Sequence, residues 1–255
     1  SQGAKTLGIS VADYLRMLKD EGLGSLPGTA AEILHDDIRR QICPDKLNTE
    51  QWLQGVEAAH GVGFKTTGTI MFGHVERYAH WARHLLRIRA LQARTHGFTE
   101  FVPLPFVHME APMYLKGKAR RGPTYREAVL MHAVARLALH PLLPNIQVSW
   151  VKLGPEGVRA CLNAGANDLG GTLMNESISR AAGTCHGQEM PPQQMDQLIA
   201  SVGRRPAQRT TLYGAPPAEQ RDRSYAAPAL APVIQTPAGK KARIGGGHAV
   251  AAATR

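Results

Sequence analysis

Apolar side chains recur every three to four residues in several separate stretches of the chain, which predicts amphipathic helices. In the first stretch Val11, Leu15 and Leu18 share one helical face, and Gly22 is suited to end the helix. The same spacing predicts helices at 49–61, 78–95, 124–139 and 192–202, and Pro155 opens another one.

Short apolar runs separate these helices and are predicted as strands near residues 23, 65, 99, 146 and 168. The run at 145–153 alternates as a strand should, whereas Pro103 and Pro105 predict that the run from Phe98 stops early. Strands that alternate with helices predict an α/β fold with a parallel sheet. Five βα units correspond to part of a TIM-like (β/α) barrel, about three short of a closed one.

The basic charge of the chain is concentrated at its end. The formal net charge is +10, and from Arg204 onward nine Lys or Arg oppose Glu219 and Asp222, so +7 lies there. Ala, Pro and Gly make up 21 of the 41 residues in 215–255. We therefore expect one domain at 1–214 and a disordered tail at 215–255, with no nucleic-acid partner.

The cysteines and the hydropathy limit the location. Cys43, Cys161 and Cys185 are an odd number and are far apart, which suits neither a disulfide framework nor a close-spaced metal site. No run of about 20 uncharged apolar residues occurs, and the first residues lack a signal-peptide core. We expect a cytoplasmic protein with no membrane partner.

Polar side chains follow each predicted strand, where a barrel gathers its βα loops. They are Glu32, His74 and Glu76, His108 and Glu110, Ser149 and Lys152, and Asn175 and Glu176. The two His-x-Glu pairs could ligate zinc or iron, although the spacing alone is a weak signal. Neither a phosphate-binding loop nor a G-x-S-x-G motif is present.

Several longer stretches carry a more specific signal, among them TTGTIMFGHVE, FTEFVPLPFVHMEAPMYLKGKARRGPTYREAV and GANDLGGTLMNESISRAAG. They closely resemble the radical S-adenosylmethionine enzymes that build the deazaflavin chromophore, the FO synthases. The resemblance is to the tyrosine 4-hydroxyphenyl transferase subunit, or to the C-terminal half of the fused enzyme. It covers about residues 10–214, and radical enzymes of the menaquinone pathway share a weaker version.

This resemblance implies a barrel in which a [4Fe–4S] cluster and S-adenosyl-L-methionine generate a 5′-deoxyadenosyl radical. The radical attacks tyrosine, and the 4-hydroxybenzyl unit joins 5-amino-6-(D-ribitylamino)uracil. The implied partner is the second FO synthase subunit or domain. By motif, the cofactor-binding residues would be Glu32, Gly68, Ile70, Gly73 and Glu76, and the substrates would face His74, His108, Glu110, Asn175 and Glu176. GTIMFGHVE is one residue longer than the usual form of its motif.

The cluster ligands are the main departure from the family. Such enzymes use Cys-x-x-x-Cys-x-x-Cys, and no two cysteines here are closer than 24 residues. We therefore expect an N-terminally truncated fragment that is inactive alone. Two alternatives stay open: a non-catalytic binding or scaffold protein that uses its basic tail, and a mononuclear metal hydrolase built on His74, Glu76, His108 and Glu110.

Overall fold

The computed structural model describes residues 2–28, 31–173 and 175–231. In chain order these residues form α1 (Gln2–Leu7), α2 (Val11–Asp20), β1 (Ser25–Leu26), α3 (Asp36–Ile42), α4 (Thr49–Gly61), β2 (Lys65–Phe72), α5 (Tyr78–Thr95), β3 (Phe98–Pro105), α6 (Pro112–Leu115), α7 (Tyr125–Leu139), α8 (Trp150–Asn163), α9 (Ile178–Ala181), α10 (Pro192–Ala200) and α11 (Ala218–Ala226). None of the helices in these ranges is long and apolar enough to cross a membrane.

The three strands form a parallel sheet in the order β1-β2-β3. Two isolated parallel bridges extend it, from Phe101 to Ile146 and from Gln147 to Asp168. The Val148 N–H also donates to the Asp168 carbonyl over 2.8 Å. All five predicted strand positions thus lie side by side in chain order, although the last two make only bridges. This α/β arrangement is compatible with part of a barrel.

The main core lies between the sheet and the helices that cover one of its faces. Ile70 and Phe72 of β2 and Phe101 of β3 are fully buried there, against Ile88 of α5 and Met131 of α7. Each such side chain contributes about 1.5–3 kcal/mol of burial free energy. A second cluster joins α8 to α10, so the last helices are packed onto the end of the sheet.

Strand β3 includes Pro103 and ends at Pro105, short of the end of the apolar run at Val107, as predicted. The Phe101 N–H donates to the Asn145 carbonyl over 2.9 Å, so the amides two and four residues further on face the same side. Pro103 and Pro105 therefore face a neighbour whose described bridge to β3 is the single one between Ile146 and Phe101. The absent N–H groups remove no hydrogen bond to β2, since they point away from it.

The prediction of a strand through 145–153 is wrong beyond Val148. Helix α8 begins at Trp150 with a short first turn, and after a kink at Gly154, where φ is +64°, its second part begins at Pro155, as the sequence predicts. A Cβ at that position would lie 2.6 Å from the His186 ring, so both the backbone and the space require glycine. The bend allows the first turn to follow the strand end directly.

Part of the expected tail is helical. Helix α11 lies within 215–255, and the Tyr225 hydroxyl donates to the Asp196 carboxylate of α10 over 2.7 Å. The Gln193 side chain also donates to the Tyr225 carbonyl over 2.7 Å. The described part of the expected tail thus contains a helix in contact with α10, and the rest, 232–255, lies outside the described residues.

Candidate functional site

The turn after β2 is held together by the Glu76 carboxylate. This carboxylate accepts hydrogen bonds from the backbone N–H groups of Gly73 and His74, and from the Trp81 indole N–H over 2.8 Å. Burial alone would raise the pKa of Glu76, but the hydrogen bonds and the adjacent His74 ring hold it well below its usual range. Glu76 is therefore an ionised carboxylate that shapes the turn.

His74 is equally enclosed. Its Nδ1 lies 3.0 Å from the Glu76 carboxylate and its Nε2 lies 3.1 Å from the Met71 carbonyl oxygen. Both ring nitrogens thus contact oxygen atoms of neighbouring residues. Among the described residues no group of three or more His, Cys, Asp and Glu is arranged to hold a metal ion, so the metal-hydrolase alternative built on His74, Glu76, His108 and Glu110 is wrong for this part of the chain.

The other members of the GTIMFGHVE motif shape the backbone. Gly73 has φ +98°, and a Cβ there would lie 2.2 Å from the Pro123 ring. Gly68 faces Phe101 and Ile88 at ordinary contact distance, and Ile70 is fully buried in the core. Ile70 and Gly68 therefore face the helices.

Glu32 lies beside the C-terminal half of β2. Its carbonyl accepts from the Met71 N–H over 2.9 Å, and its carboxylate forms an ion pair with Lys46 at 2.9 Å. The backbone of Glu32 has φ +45°, a conformation that is uncommon for a residue with a side chain. The carboxylate is thus fixed at the same end of the sheet as the β2 turn.

His108 and Glu110 lie in the loop after β3. The His108 ring packs edge-on against Tyr114 at 4.7 Å, and the Glu110 N–H donates to the Ala182 carbonyl over 3.2 Å. Met109 lies against Gly183. The structure therefore brings this loop to the segment 175–190, while the Glu110 carboxylate stays exposed.

Asn175 and Glu176 start that segment. The Arg180 guanidinium donates to the Asn175 side-chain oxygen over 2.6 Å and to the Glu176 carbonyl. One oxygen of the Glu176 carboxylate accepts from the Ser179 N–H over 2.6 Å. The segment folds over the strand ends as a loop held by its own polar groups.

Lys152 joins this cluster from the first turn of α8. Its ammonium donates to the Ser179 hydroxyl over 3.2 Å, and Glu176 is the carboxylate that influences it. Burial lowers the pKa of Lys152 below its usual value. The sequence placed Lys152 after a strand, but its contacts with a loop some 27 residues away were not visible in the sequence.

A second polar network adjoins the β2 turn. The Glu127 carboxylate accepts from Arg120 over 2.8 Å, from the Tyr78 hydroxyl over 3.0 Å and from the Thr124 N–H over 2.7 Å. Burial would raise the pKa of Glu127, but these donors lower it to about 2. The Arg120 N–H also donates to the His74 carbonyl over 3.0 Å. This network fixes the loop that precedes α7.

The three cysteines do not fit an iron–sulfur cluster. Cys43 follows α3 and is buried, Cys161 is buried inside α8, and Cys185 is exposed in the segment 175–190. Burial raises the pKa of the Cys161 thiol to about 12, which opposes the thiolate form that a cluster needs. The described residues therefore offer no set of thiolates for the cluster.

A cavity of about 790 Å³ borders residues 167–172 and the segment 204–213. Its wall includes Glu100, Asp168 and Arg209, whose side chains form ion pairs. None of the residues expected from the sequence to be functional lines this cavity. The candidate site is accordingly the polar surface at the carboxyl ends of the strands.

Most of the chain is similar to known proteins. Residues 95–221 match the family model described as the CofH/MqnC C-terminal region. The chain is 50% identical over 211 residues to the 5-amino-6-(D-ribitylamino)uracil–L-tyrosine 4-hydroxyphenyl transferase of Methanocaldococcus jannaschii, covering 83% of this chain and 59% of that relative. For the same transferase of Methanopyrus kandleri the identity is 51% over 210 residues, covering 82% and 57%.

The FO synthase of Streptomyces coelicolor is 48% identical over 236 residues, covering 91% of this chain and 27% of that relative. The chain thus spans less than three fifths of the transferases it matches and about a quarter of the FO synthase. Residues 95–221 are thus similar to the CofH/MqnC C-terminal region.

Proposed function

We propose that this chain is part of a radical S-adenosylmethionine transferase that joins the 4-hydroxybenzyl group of L-tyrosine to 5-amino-6-(D-ribitylamino)uracil in deazaflavin biosynthesis. One observation carries the proposal: 48–51% identity over 82–91% of the chain to relatives named for this reaction or as FO synthases. Identity at this level over parallel strands with polar loop residues supports a shared site.

The described residues would bind and orient the reactants. In this proposal His108, Glu110, Asn175 and Glu176 face the substrates, because the loop after β3 and the segment 175–190 meet at the strand ends. His74, in the turn after β2, is also assigned to the residues that face the substrates. Glu32 and the motif from Gly68 to Glu76 would support the adenine of S-adenosylmethionine, with Ile70 and Glu76 acting through the backbone that they fix.

The cluster belongs to another polypeptide or to another part of a longer chain in this proposal. S-adenosylmethionine at a [4Fe–4S] cluster would supply the 5′-deoxyadenosyl radical, and the cysteines described above do not fit that cluster. The strands of the cluster-bearing part would extend the parallel sheet toward a barrel. A cytoplasmic location is supported by the three free cysteines.

The test is anaerobic reconstitution with iron and sulfide, followed by addition of S-adenosylmethionine, L-tyrosine and the aminouracil. We expect the chain alone to show no iron–sulfur absorbance and no product. Mixing it with a polypeptide from a longer relative that carries Cys-x-x-x-Cys-x-x-Cys should yield 5′-deoxyadenosine and the coupled product, measured by mass spectrometry. No product from this reconstituted pair would argue against the proposal.

A pair of histidine variants localises the site. His108→Asn should lower product formation by the pair at least about tenfold, as expected when a substrate contact is removed. His96→Asn is the matched control, because His96 is exposed beyond the C-terminus of α5, at the opposite end of the sheet. Equal losses in both variants would contradict the assignment of His108.

A further inference from the structure

Lys152 has an incomplete set of partners for a half-buried cation. Its ammonium carries three N–H donors, and one of them bonds to the Ser179 hydroxyl at 3.2 Å. Within the described ranges no carboxylate is near enough to form an ion pair with it. A half-buried charge without such a partner is unfavourable for folding alone, which points to a ligand.

The Glu176 carboxylate has an unused hydrogen-bond acceptor. Oε1 of its carboxylate accepts from the Ser179 N–H at 2.6 Å, and Oε2 has no hydrogen bond within residues 2–28, 31–173 and 175–231. Lys152 and Glu176 thus flank Ser179 on either side without meeting each other. An ammonium with unused donors and a carboxylate with one unused oxygen, both in contact with Ser179, complement a ligand that carries both charges.

The neighbouring charges add to the attraction for an anion. Arg180 donates only to neutral oxygens, the Asn175 side chain and the Glu176 carbonyl, in the part of the chain that is described. Two cations, Lys152 and Arg180, therefore lie beside the single carboxylate of Glu176. The net local charge is +1, which a carboxylate would neutralise.

We propose that Lys152 and Ser179 bind the carboxylate of an α-amino acid, and that Glu176 Oε2 accepts from its amino group. The site lies just past the bridge segment 146–148, at the end of the sheet where the other candidate residues lie. The choice of ligand rests on the proposed function, which offers two α-amino acids, L-tyrosine and the methionyl end of S-adenosylmethionine.

The test is calorimetric titration of the full 255-residue chain with matched ligands. L-Tyrosine is compared with tyramine, which lacks the carboxylate, and with 3-(4-hydroxyphenyl)propionate, which lacks the amine. S-Adenosylmethionine is compared with its decarboxylated form. The unmodified chain should bind one of the two amino acids about 10- to 100-fold more tightly than the analogue without the carboxylate, as expected for charge-assisted hydrogen bonds.

Two variants assign the contacts. Lys152→Gln should remove the preference for the carboxylate without changing the affinity for the decarboxylated analogue, and Glu176→Gln should remove only the preference for the amine. Lys65→Gln is the matched control, because Lys65 begins β2 at the opposite end of the sheet. Circular dichroism melts of each variant show whether the fold is kept.

Three results would overturn this assignment. They are equal affinity of the unmodified chain for an amino acid and its decarboxylated analogue, an unchanged preference in Lys152→Gln, and no binding of either amino acid. The first and third results need no variant to fold. If the reconstituted pair makes product while Lys152→Gln keeps its preference, only the assignment of Lys152 fails. If the preference is lost as expected but no product forms, only the proposed function fails.

Discussion

The Arg209 guanidinium donates to the Glu100 carboxylate over 2.9 Å, although 109 residues separate them in the chain. The same guanidinium forms an ion pair with Asp168 and lies 4.0 Å from the centre of the Tyr213 ring. The Tyr213 hydroxyl donates to Glu100 over 2.6 Å. Arg209 thus links the segment 204–214 to β3, through Glu100, and to the Gln147–Asp168 bridge, through Asp168.

Removing this cation should leave two nearly buried carboxylates without their partner. We expect Arg209→Met to lower the free energy of unfolding by about 3–5 kcal/mol, the usual result when one member of a buried ion pair is lost. Urea denaturation measures it. Arg205→Met is the control, since Arg205 is exposed and should change stability by less than about 0.5 kcal/mol.

The cause of the loss can be checked in a double variant. In a Glu100→Gln background, Arg209→Met should cost at least about 1 kcal/mol less, because one of the two stranded carboxylates is then absent. An equal cost in both backgrounds would show that the ion pair with Glu100 contributes nothing to the effect of Arg209.

The strand positions were predictable from the sequence and the long-range pairs were not. Apolar runs located β2 and β3, and the polar residues after them indicated the candidate site, because both signals are local. The contact of Arg209 with Glu100 has no local signal, since nothing in the spacing of two charges 109 residues apart specifies a pair. Alternation predicted a strand through 145–153, but α8 begins at Trp150, because a short alternating run does not by itself distinguish a strand from a helical turn.

The prolines of β3 also show that local sequence signals do not reveal long-range contacts. Pro103 and Pro105 are local evidence against a strand, and only the position of the neighbouring segment 145–147 shows that their side of β3 needs no further donors. The resemblance to a known family supplied the function that periodicity could not, because the chemistry depends on a cofactor. His74 and Glu76 were marked by spacing, but their hydrogen bonds show them to be residues of the turn.

At Gly73 both the backbone conformation and the surrounding space require glycine. Its φ of +98° and the Pro123 ring, 2.2 Å from where a Cβ would be, both oppose a side chain. Gly73→Ala should lower the free energy of unfolding by about 2 kcal/mol or more, measured by thermal melting. Gly55→Ala in α4 is the control: no atom lies within 4 Å of its Cβ position, so it should stabilise by about 0.5–1 kcal/mol. Similar effects of the two changes would contradict the geometry of the β2 turn.

Glu127 should make the stability of the chain depend on acid pH. Its folded-state pKa of about 2 is below the ordinary value of 4.5, so its contribution is complete above about pH 5 and is lost as the pH falls toward 2. A shift of this size corresponds to about 3 kcal/mol. The stability difference between the unmodified chain and Glu127→Gln should therefore shrink over this pH range, as urea denaturation can measure.

The control for this pH dependence is Glu156→Gln. The Glu156 side chain is 85% exposed although it pairs with Arg159, so screening by solvent should leave almost no effect at any pH. Parallel stability curves for the unmodified chain and Glu127→Gln between pH 5 and 2 would contradict the role assigned to the Arg120, Tyr78 and Thr124 donors.

The three thiols should differ in reactivity according to their burial. Cys185 is exposed, whereas burial raises the pKa of Cys43 and raises that of Cys161 to about 12. Since the thiolate is the reactive form, a disulfide reagent should titrate one thiol quickly in the native chain and three in denaturant. Cys185→Ser should remove the fast thiol, and Cys161→Ser should leave it. A second fast thiol in the native chain would mean that a buried cysteine becomes exposed. Cys161→Ser would then show whether that thiol is Cys161, which contacts His132 at 3.4 Å.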